Sequence, residues 1–207
     1  MKTIERDIVK EFGKQLSLRY SWVDIHRKPS SSGPFRAKLK SIFNYVPILQ
    51  PEIDICFKDS KGHLFAAEVK VFPAKALSFT LPFYEGIGQA LALHRYGFDY
   101  VSLWFFFYGK VDSSLMQQYG AQAWSFIRNE LKLELDFTFF HARKNKSSYD
   151  FIIYQYTSNA TAFKLCSFDN FIFKFRHPNP LRNCKVPKGI RSELERWLMT
   201  KKSKVAK

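Results

Sequence analysis

Two short apolar runs in the first half of the chain carry charged residues where a buried strand normally has none. The runs, 53–57 and 64–71, are separated by a glycine-containing turn, and this pattern predicts two adjacent strands joined as a hairpin. Asp54 lies within the first run. Glu68 and Lys70 are two apart in the second, so their side chains leave the same face of the sheet. Because buried charges persist only when they are paired or bound to a metal, we expect these three side chains to meet at one site.

The two carboxylates in this pattern predict a divalent cation. Asp54 and Glu68 would repel each other unless a cation lay between them, and a neighbouring lysine completes a group suited to phosphate ester cleavage. The full motif reads Pro51-Glu52-Ile53-Asp54, followed by Glu68-Val69-Lys70. It resembles the PD-(D/E)XK nuclease superfamily, which includes type II restriction enzymes and archaeal Holliday-junction resolvases.

The resemblance implies a role for each matching residue. Asp54 and Glu68 would be ligands of Mg²⁺, for which Mn²⁺ would substitute, and the backbone carbonyl of Val69 would be a further ligand. Lys70 would orient or activate the attacking water or stabilise the transition state. Many members have an aspartate directly after the proline, where this chain has Glu52, so a register with Glu52 as a ligand stays open. We prefer Asp54 because the residues on both sides of it are isoleucines.

Two flanking helices offer further candidates. In the first, predicted over 3–18, Glu5 falls near the centre of an apolar face, whereas Glu11 lies at its edge. The resolvase branch has a glutamate on this helix that completes the metal site, which makes Glu5 a ligand and keeps Glu11 in reserve. An acid that only stabilises the helix dipole is the alternative. In the second helix, predicted over 84–97, Gln89 matches a glutamine that many members place near the metal, and a solvent-facing glutamine is the alternative.

The net charge of +15 is distributed unevenly along the 207 residues. Counting Lys and Arg against Asp and Glu gives +6 for residues 1–50, 0 for residues 51–157 and +9 for residues 158–207. The block that holds the motif is therefore neutral, and the surplus lies towards the two ends. A charge this lopsided predicts a polyanionic partner, DNA before an anionic membrane surface.

A basic segment precedes the motif. Residues 27–40 contain no acid and are rich in proline, serine and glycine, which predicts a mobile loop that grips DNA and becomes ordered on binding. The expected DNA contacts are Arg27, Lys28, Arg36, Lys38, Lys40 and Lys75.

Three further features bear on the expected cellular location. No apolar run reaches the roughly 20 residues that span a bilayer, so no membrane partner is expected. The N-terminus is charged where a signal peptide would be apolar. The three cysteines lack metal-ligand spacing and predict reduced thiols in a cytoplasmic protein.

The predicted order of elements gives an α/β fold. Over residues 1–110 the order is αβββαβ, a mixed central sheet flanked by helices, as in the restriction-endonuclease-like core that the resemblance implies. Residues 111–207 are predicted as an α+β elaboration with a basic C-terminal tail, and the whole of 1–207 as one domain. This elaboration could extend the sheet, form a dimer interface or read the substrate. The predicted helices are 3–18, 84–97, 113–133 and 192–199, and the predicted strands are 19–26, 52–58, 63–72, 99–108, 135–141, 150–156 and 170–175.

Together these features predict a Mg²⁺-dependent DNA endonuclease. A structure-selective enzyme of the Holliday-junction-resolvase type, acting as a homodimer on branched or duplex DNA, is the preferred reading. A restriction- or transposon-type duplex nuclease is second, and a single-strand or RNA-directed nuclease is third. A non-catalytic nucleic-acid-binding protein on a nuclease-like fold and a basic interaction protein are the alternatives from other classes.

Overall fold

The chain folds as a mixed α/β protein, the class that the sequence predicts. The computed structural model describes residues 2–29, 33–44, 51–73, 80–110, 112–156, 163–168, 177–181, 184–200, 203 and 205. The helices of this part of the chain are α1 (Lys2–Ser17), α2 (Gly33–Phe43), α3 (Thr80–His94), α4 (Ser113–Ser125) and α5 (Lys185–Thr200). The strands are β1 (Trp22–Arg27), β2 (Ile53–Lys58), β3 (Leu64–Pro73), β4 (Tyr100–Tyr108), β5 (Asp136–Asn145), β6 (Ser148–Tyr156) and β7 (Phe163–Ser167).

All seven strands join one sheet in chain order. Strands β1, β2 and β3 are antiparallel, β3, β4 and β5 are parallel, and β5, β6 and β7 are antiparallel again. The parallel strands need crossover connections, which α3 and α4 supply. The second half of the chain therefore extends the sheet, which is one of the three roles left open by the sequence.

Helices cover both faces of this sheet. On one face, α1 buries an apolar stripe against the strands, with Phe12 at its centre. The Phe12 ring meets the rings of Phe106, Phe140, Phe151 and Phe168 edge-on, with centroids 4.8–5.1 Å apart. The other face packs against residues of α2, α3, α4 and α5. Truncation of a phenylalanine buried this deeply typically costs about 3–5 kcal/mol.

The predicted mobile loop over 27–40 is wrong for its second half, because residues 33–43 form helix α2. Pro34 is tolerated there because it lies in the first turn, where its missing N–H leaves no hydrogen bond unmade. Phe35 and Leu39, four residues apart, are fully buried, and the Phe35 ring stacks on Trp197 of α5 with centroids 5.0 Å apart. The order of elements thus includes an inserted helix, and the start of the chain runs αβαββαβ.

The remaining differences concern element ends and strand β7, which the sequence pattern does not predict. Helix α5 begins at Lys185, seven residues before the predicted start, and α4 ends at Ser125 and continues as a π-helical turn over Phe126–Glu130. Strand β5 runs past its predicted end at 141 to Asn145. The strand predicted over 170–175 lies outside the described residues. No helix in the described part of the chain is long and apolar enough to cross a membrane.

Candidate active site and metal centre

The predicted acidic pair lies where β2 and β3 stop pairing. Their ladder runs from Lys58 opposite Leu64 to Ile55 opposite Ala67, and one further step in this register sets Asp54 opposite Glu68. Both side chains are buried, at 8% and 1% exposure. The end of the ladder therefore forms a small opening in the sheet, and the two carboxylates lie at it.

Backbone geometry ties Asp54 to the motif on β3. The Val69 N–H donates to Asp54 Oδ2 at 2.8 Å, taking the place of a ladder hydrogen bond. In a strand the N–H and C=O of one residue point to the same side, so the Val69 carbonyl also faces this opening. That orientation suits the ligand role which the resemblance assigns to this carbonyl.

Lys70 is held between the sheet and α3. Its Nζ donates to Glu68 Oε1 at 2.7 Å and to Gln89 Oε1 at 2.5 Å. Gly86 leaves room for it, since a Cβ at this position would stand 3.1 Å from Lys70 Cγ and 2.9 Å from Leu103 Cδ1. The predicted lysine and glutamine therefore meet, and Gln89 does not face away into solvent.

The electrostatics of the cluster are unbalanced towards negative charge. Burial, together with the neighbouring Glu68 carboxylate, raises the pKa of Asp54 well above its usual range. Burial raises the pKa of Glu68 to about 7, although the Lys70 ammonium acts in the opposite direction. Burial would lower the pKa of Lys70, but the carboxylates of Glu68, Asp54 and Glu5 outweigh it, and the pKa is raised. One ammonium thus faces several carboxylates.

The first helix contributes to this site through Glu5. Its side chain is partly buried, and its charge raises the pKa of Asp54, Glu68 and Lys70 alike. Glu11, the reserve candidate, instead forms a surface ion pair with Lys14 at 3.1 Å.

Sequence reasoning missed a second group on the other side of Asp54. One donor atom from each of His26, Glu52 and Asp54 can be chosen so that all three lie within 4.8 Å of one another. His26 Nδ1 is 3.1 Å from Glu52 Oε1, and Lys28 Nζ is 3.3 Å from Glu52 Oε2. The chain lacks H-x-x-H spacing, but ligands from neighbouring strands need none. Only the β1–β2 register brings His26 to Asp54, and periodicity does not give that register.

Arg27, one of the predicted DNA contacts, is buried instead of lying on the surface. It is 5% exposed, and its guanidinium is bound to the fully buried carboxylate of Asp24. Residues three apart on a regular strand leave opposite faces, but His26 between them has a left-handed backbone with φ of 51°. This local reversal allows Arg27 to turn back onto Asp24.

The other predicted DNA contacts are distributed over three environments. Arg36, Lys38 and Lys40 are exposed on α2, whose opposite side packs against α5. The Lys28 side chain is 56% exposed and forms the ion pair with Glu52. Lys75 lies outside the described residues.

The donor set fits a hard divalent cation. Asp54, Glu68 and Glu5 offer carboxylate oxygens, and the Val69 carbonyl offers another, which is the chemistry that Mg²⁺ prefers. Glu68 Oε2 is buried and has no hydrogen-bond partner among the described residues, an arrangement that a cation would relieve. The group His26, Glu52 and Asp54 could also hold a metal ion.

Comparison with known proteins finds only a weak structural similarity. No known family's sequence profile matches the chain, and no curated protein matches it significantly. Among solved structures it is similar to "The structure of Pyrococcus Furiosus SfsA in complex with Ca2+", at 14% identity and a TM-score of 0.27. The alignment covers 52% of this chain and 49% of that chain, so about half of each is matched. A likeness this weak carries no argument about the function of the chain.

Proposed function

We propose that the protein is a Mg²⁺-dependent endodeoxyribonuclease on a restriction-endonuclease-like core. The observation that carries this proposal is the meeting of Asp54, Glu68 and Lys70 at the opening between β2 and β3, with more negative than positive charge. A purely structural ion pair would be balanced and fully hydrogen bonded. This cluster is neither, and a cation would resolve both defects.

The acidic residues would hold the ion. Asp54, Glu68 and Glu5, with the Val69 carbonyl, would bind Mg²⁺, and Mn²⁺ would substitute. When bound, the ion polarises the scissile phosphate and lowers the pKa of a coordinated water. The Val69 N–H holds the Asp54 carboxylate in place through Oδ2, so that its second oxygen remains for a ligand.

Lys70 supplies the positive charge for the reaction. Its ammonium is fixed by two acceptors, Glu68 Oε1 and Gln89 Oε1, within the same cluster. A fixed ammonium stabilises charge that develops on the phosphate in the transition state without reorganisation at that moment. Gln89 acts as a positioning residue, and Gly86 provides the space through which the lysine reaches the site.

The surface of α2 offers a site for the DNA backbone. Arg36, Lys38 and Lys40 are exposed on a helix whose apolar residues are anchored against α5. A rigid basic helix positions phosphate contacts with less loss of entropy than a mobile loop. These lysines and this arginine would carry the salt dependence of DNA binding.

Within the nuclease class we favour a structure-selective enzyme of the Holliday-junction-resolvase type that acts as a cytoplasmic homodimer. A two-fold dimer would present two active sites to a branched junction. A restriction- or transposon-type nuclease acting on plain duplex is the second candidate. A non-catalytic nucleic-acid-binding protein is the third, and the intact Asp54, Glu68 and Lys70 speak against it.

A cleavage assay tests the proposal. Labelled four-way junction, duplex and single strand are incubated with Mg²⁺ or Mn²⁺ and the wild-type protein, Lys70→Ala or Lys58→Ala. Lys58 is the matched control, because it is a β2 lysine paired with Glu195 at 2.5 Å. We expect Lys70→Ala to bind DNA nearly normally but to cleave at least about 1000-fold more slowly, since a group that stabilises only the transition state is removed.

Each outcome has a separate meaning. Junction cleavage that Lys70→Ala loses and Lys58→Ala keeps would support both the active site and the resolvase reading. Cleavage of duplex or single strand alone would retain the nuclease and discard the resolvase. Tight binding without cleavage of any substrate would favour the non-catalytic binding protein.

A further inference from the structure

His26 and Glu52 lie on the β1 side of Asp54, whereas Glu68 lies on the β3 side. Donor atoms from His26, Glu52 and Asp54 lie within 4.8 Å of one another, and His26 Nδ1 is 3.1 Å from Glu52 Oε1. Ligands that share one divalent ion at bond lengths near 2.1 Å stand roughly 3 Å apart around it. The separation of His26 and Glu52 is that of a hydrogen-bonded ion pair, and it also matches two ligands of one ion.

An unsatisfied carboxylate lies on the β3 side of the shared Asp54. Glu68 is 1% exposed, and its Oε2 has no hydrogen-bond partner among the described residues. The charge of Glu52 reaches Glu68, so the surplus of carboxylates extends from β3 across Asp54 to the β1 side. Lys70 neutralises only one end of this row. A single cation at the Glu68 end would leave Glu52 paired with the exposed Lys28 ammonium and with His26, and with no metal ion.

We infer that His26, Glu52 and Asp54 form a second cation position that takes a divalent transition-metal ion, with Asp54 shared between the two positions. Mg²⁺ takes oxygen ligands, whereas imidazole is a common ligand of transition metals. The histidine therefore makes the two positions chemically unequal. This inference deepens the proposed function and rests on it only for the role of Asp54 as a ligand.

Binding of an ion at this second position would also change the pairing of Lys28. Without an ion its ammonium offsets the charge of Glu52 at 3.3 Å, but its side chain is 56% exposed. A bound cation would replace this charge, and Lys28 could then move into solvent at low cost. Occupation of the second position would in this way release a lysine next to the site, available to a phosphate group.

Mn²⁺ is the probe, because it is paramagnetic and reports a coordinated nitrogen in electron spin echo envelope modulation. The main variant is His26→Asn, since asparagine tolerates the left-handed backbone at this position and removes the imidazole. His63→Asn is the matched control, because His63 lies in the β2–β3 turn and is bound to Asp59 at 2.9 Å. Binding is measured by titration on the full chain, with circular dichroism and thermal melts to verify folding.

We expect the wild-type protein and His63→Asn to bind two Mn²⁺ per chain, with a nitrogen signal from coordinated imidazole. Of the two Mn²⁺ ions, the one with oxygen ligands alone should be displaced by a Mg²⁺ concentration at least about tenfold lower than the one bound to His26. His26→Asn should lose the nitrogen signal and weaken one of the two Mn²⁺ at least about tenfold. Asp54→Asn, which removes the shared ligand, should weaken both.

The outcomes separate this inference from the proposed nuclease. Bound Mn²⁺ without a nitrogen signal in the wild type, or a signal that survives in His26→Asn, would overturn the second position even if DNA is cleaved normally. A nitrogen signal that depends on His26 in a protein that cleaves no nucleic acid would uphold the second position and overturn the proposed function. Absence of Mn²⁺ binding would overturn both.

Discussion

Two buried charge clusters lie on neighbouring strands of this sheet and differ in their balance. In the first, Asp24 on β1 is fully buried and pairs with Arg27, and its Oδ1 accepts from the Ile25 N–H at 2.9 Å. In the second, Asp54 and Glu68 share the single ammonium of Lys70, and Glu68 Oε2 has no partner among the described residues. The first cluster is complete as it stands. The second buries more carboxylates than ammonium groups, and the proposed cation would supply the missing positive charge.

The balance of buried charge distinguishes the two clusters better than burial alone. Both clusters are almost wholly inaccessible to water, and both would be costly to break. What differs is whether the protein supplies all the opposite charge that it buries. A shortage of cations at a strand opening, with a lysine fixed beside it, indicates a ligand that arrives from outside.

The largest effect is expected at the balanced pair. Arg27→Ala would leave the Asp24 carboxylate buried without its counter-charge, so the free energy of unfolding should fall by about 3–5 kcal/mol. Urea denaturation measures this change. Replacing both residues at once, with Asp24→Asn and Arg27→Met, should cost clearly less than Arg27→Ala alone. If the double variant were the less stable of the two, the cluster would not act as a closed ion pair.

A metal ion should stabilise the folded protein only by binding at the unbalanced cluster of Asp54, Glu68 and Lys70. At a concentration about 100 times its dissociation constant, one ion that binds the folded state alone adds about 2.7 kcal/mol to the free energy of unfolding. Thermal melts with Mn²⁺ against EDTA measure the shift. We expect it in the wild type and not in Asp54→Asn. A shift of full size in Asp54→Asn would place the metal elsewhere.

In metal-free protein, Asp54→Asn should be stabilising, because it removes a buried charge that Glu68 and Glu5 repel. The gain should be on the order of 1–2 kcal/mol, the usual size for a stabilising single substitution. Because the folded pKa of Asp54 is raised, the wild type loses stability as pH rises above the unfolded pKa near 4. The gain should therefore be present at pH 7 and vanish at about pH 3. Denaturation in EDTA across this pH range gives the result, and a loss of stability at pH 7 would contradict the charge surplus.

The smallest effect is expected at the exposed ion pair of Glu11 and Lys14. Its side chains are 22% and 45% exposed, and the pair lies at i, i+3 on α1. Glu11→Gln should change the free energy of unfolding by less than about 0.5 kcal/mol, and salt should reduce this further. The same substitution at Glu5 should abolish much of the metal-induced shift in thermal melts, whereas Glu11→Gln should retain it. Equal behaviour of the two variants would remove Glu5 from the metal site.

The sequence predicts the unbalanced cluster better than the balanced one, for physical reasons. Glu68 and Lys70 share a strand, and a short turn brings Asp54 beside them, so local periodicity suffices. His26 reaches Asp54 only through the pairing of β1 with β2, across an inserted helix that the sequence pattern conceals. The burial of Arg27 depends on a left-handed residue inside a strand, which no periodicity indicates.

Helix α2 was missed for a related reason. Its first turn is glycine and proline, preceded by three serines, and such composition usually indicates a loop. Phe35 and Leu39 are buried because they pack against residues of α5, some 150 residues later in the chain. Charged residues close together in the sequence predict the site, whereas contacts between residues far apart in the chain leave no pattern in the sequence.

The position of Phe12 in its ring of aromatic side chains has a consequence for the order in which the proposed metal site is assembled during synthesis. Glu5 is carried by α1, whose docking site includes Phe140, Phe151 and Phe168. The ribosome therefore makes helix α1 early but completes the surface against which it packs late. Until residue 168 has emerged, helix α1 cannot complete these contacts, so Glu5 would join the proposed metal site only late in synthesis.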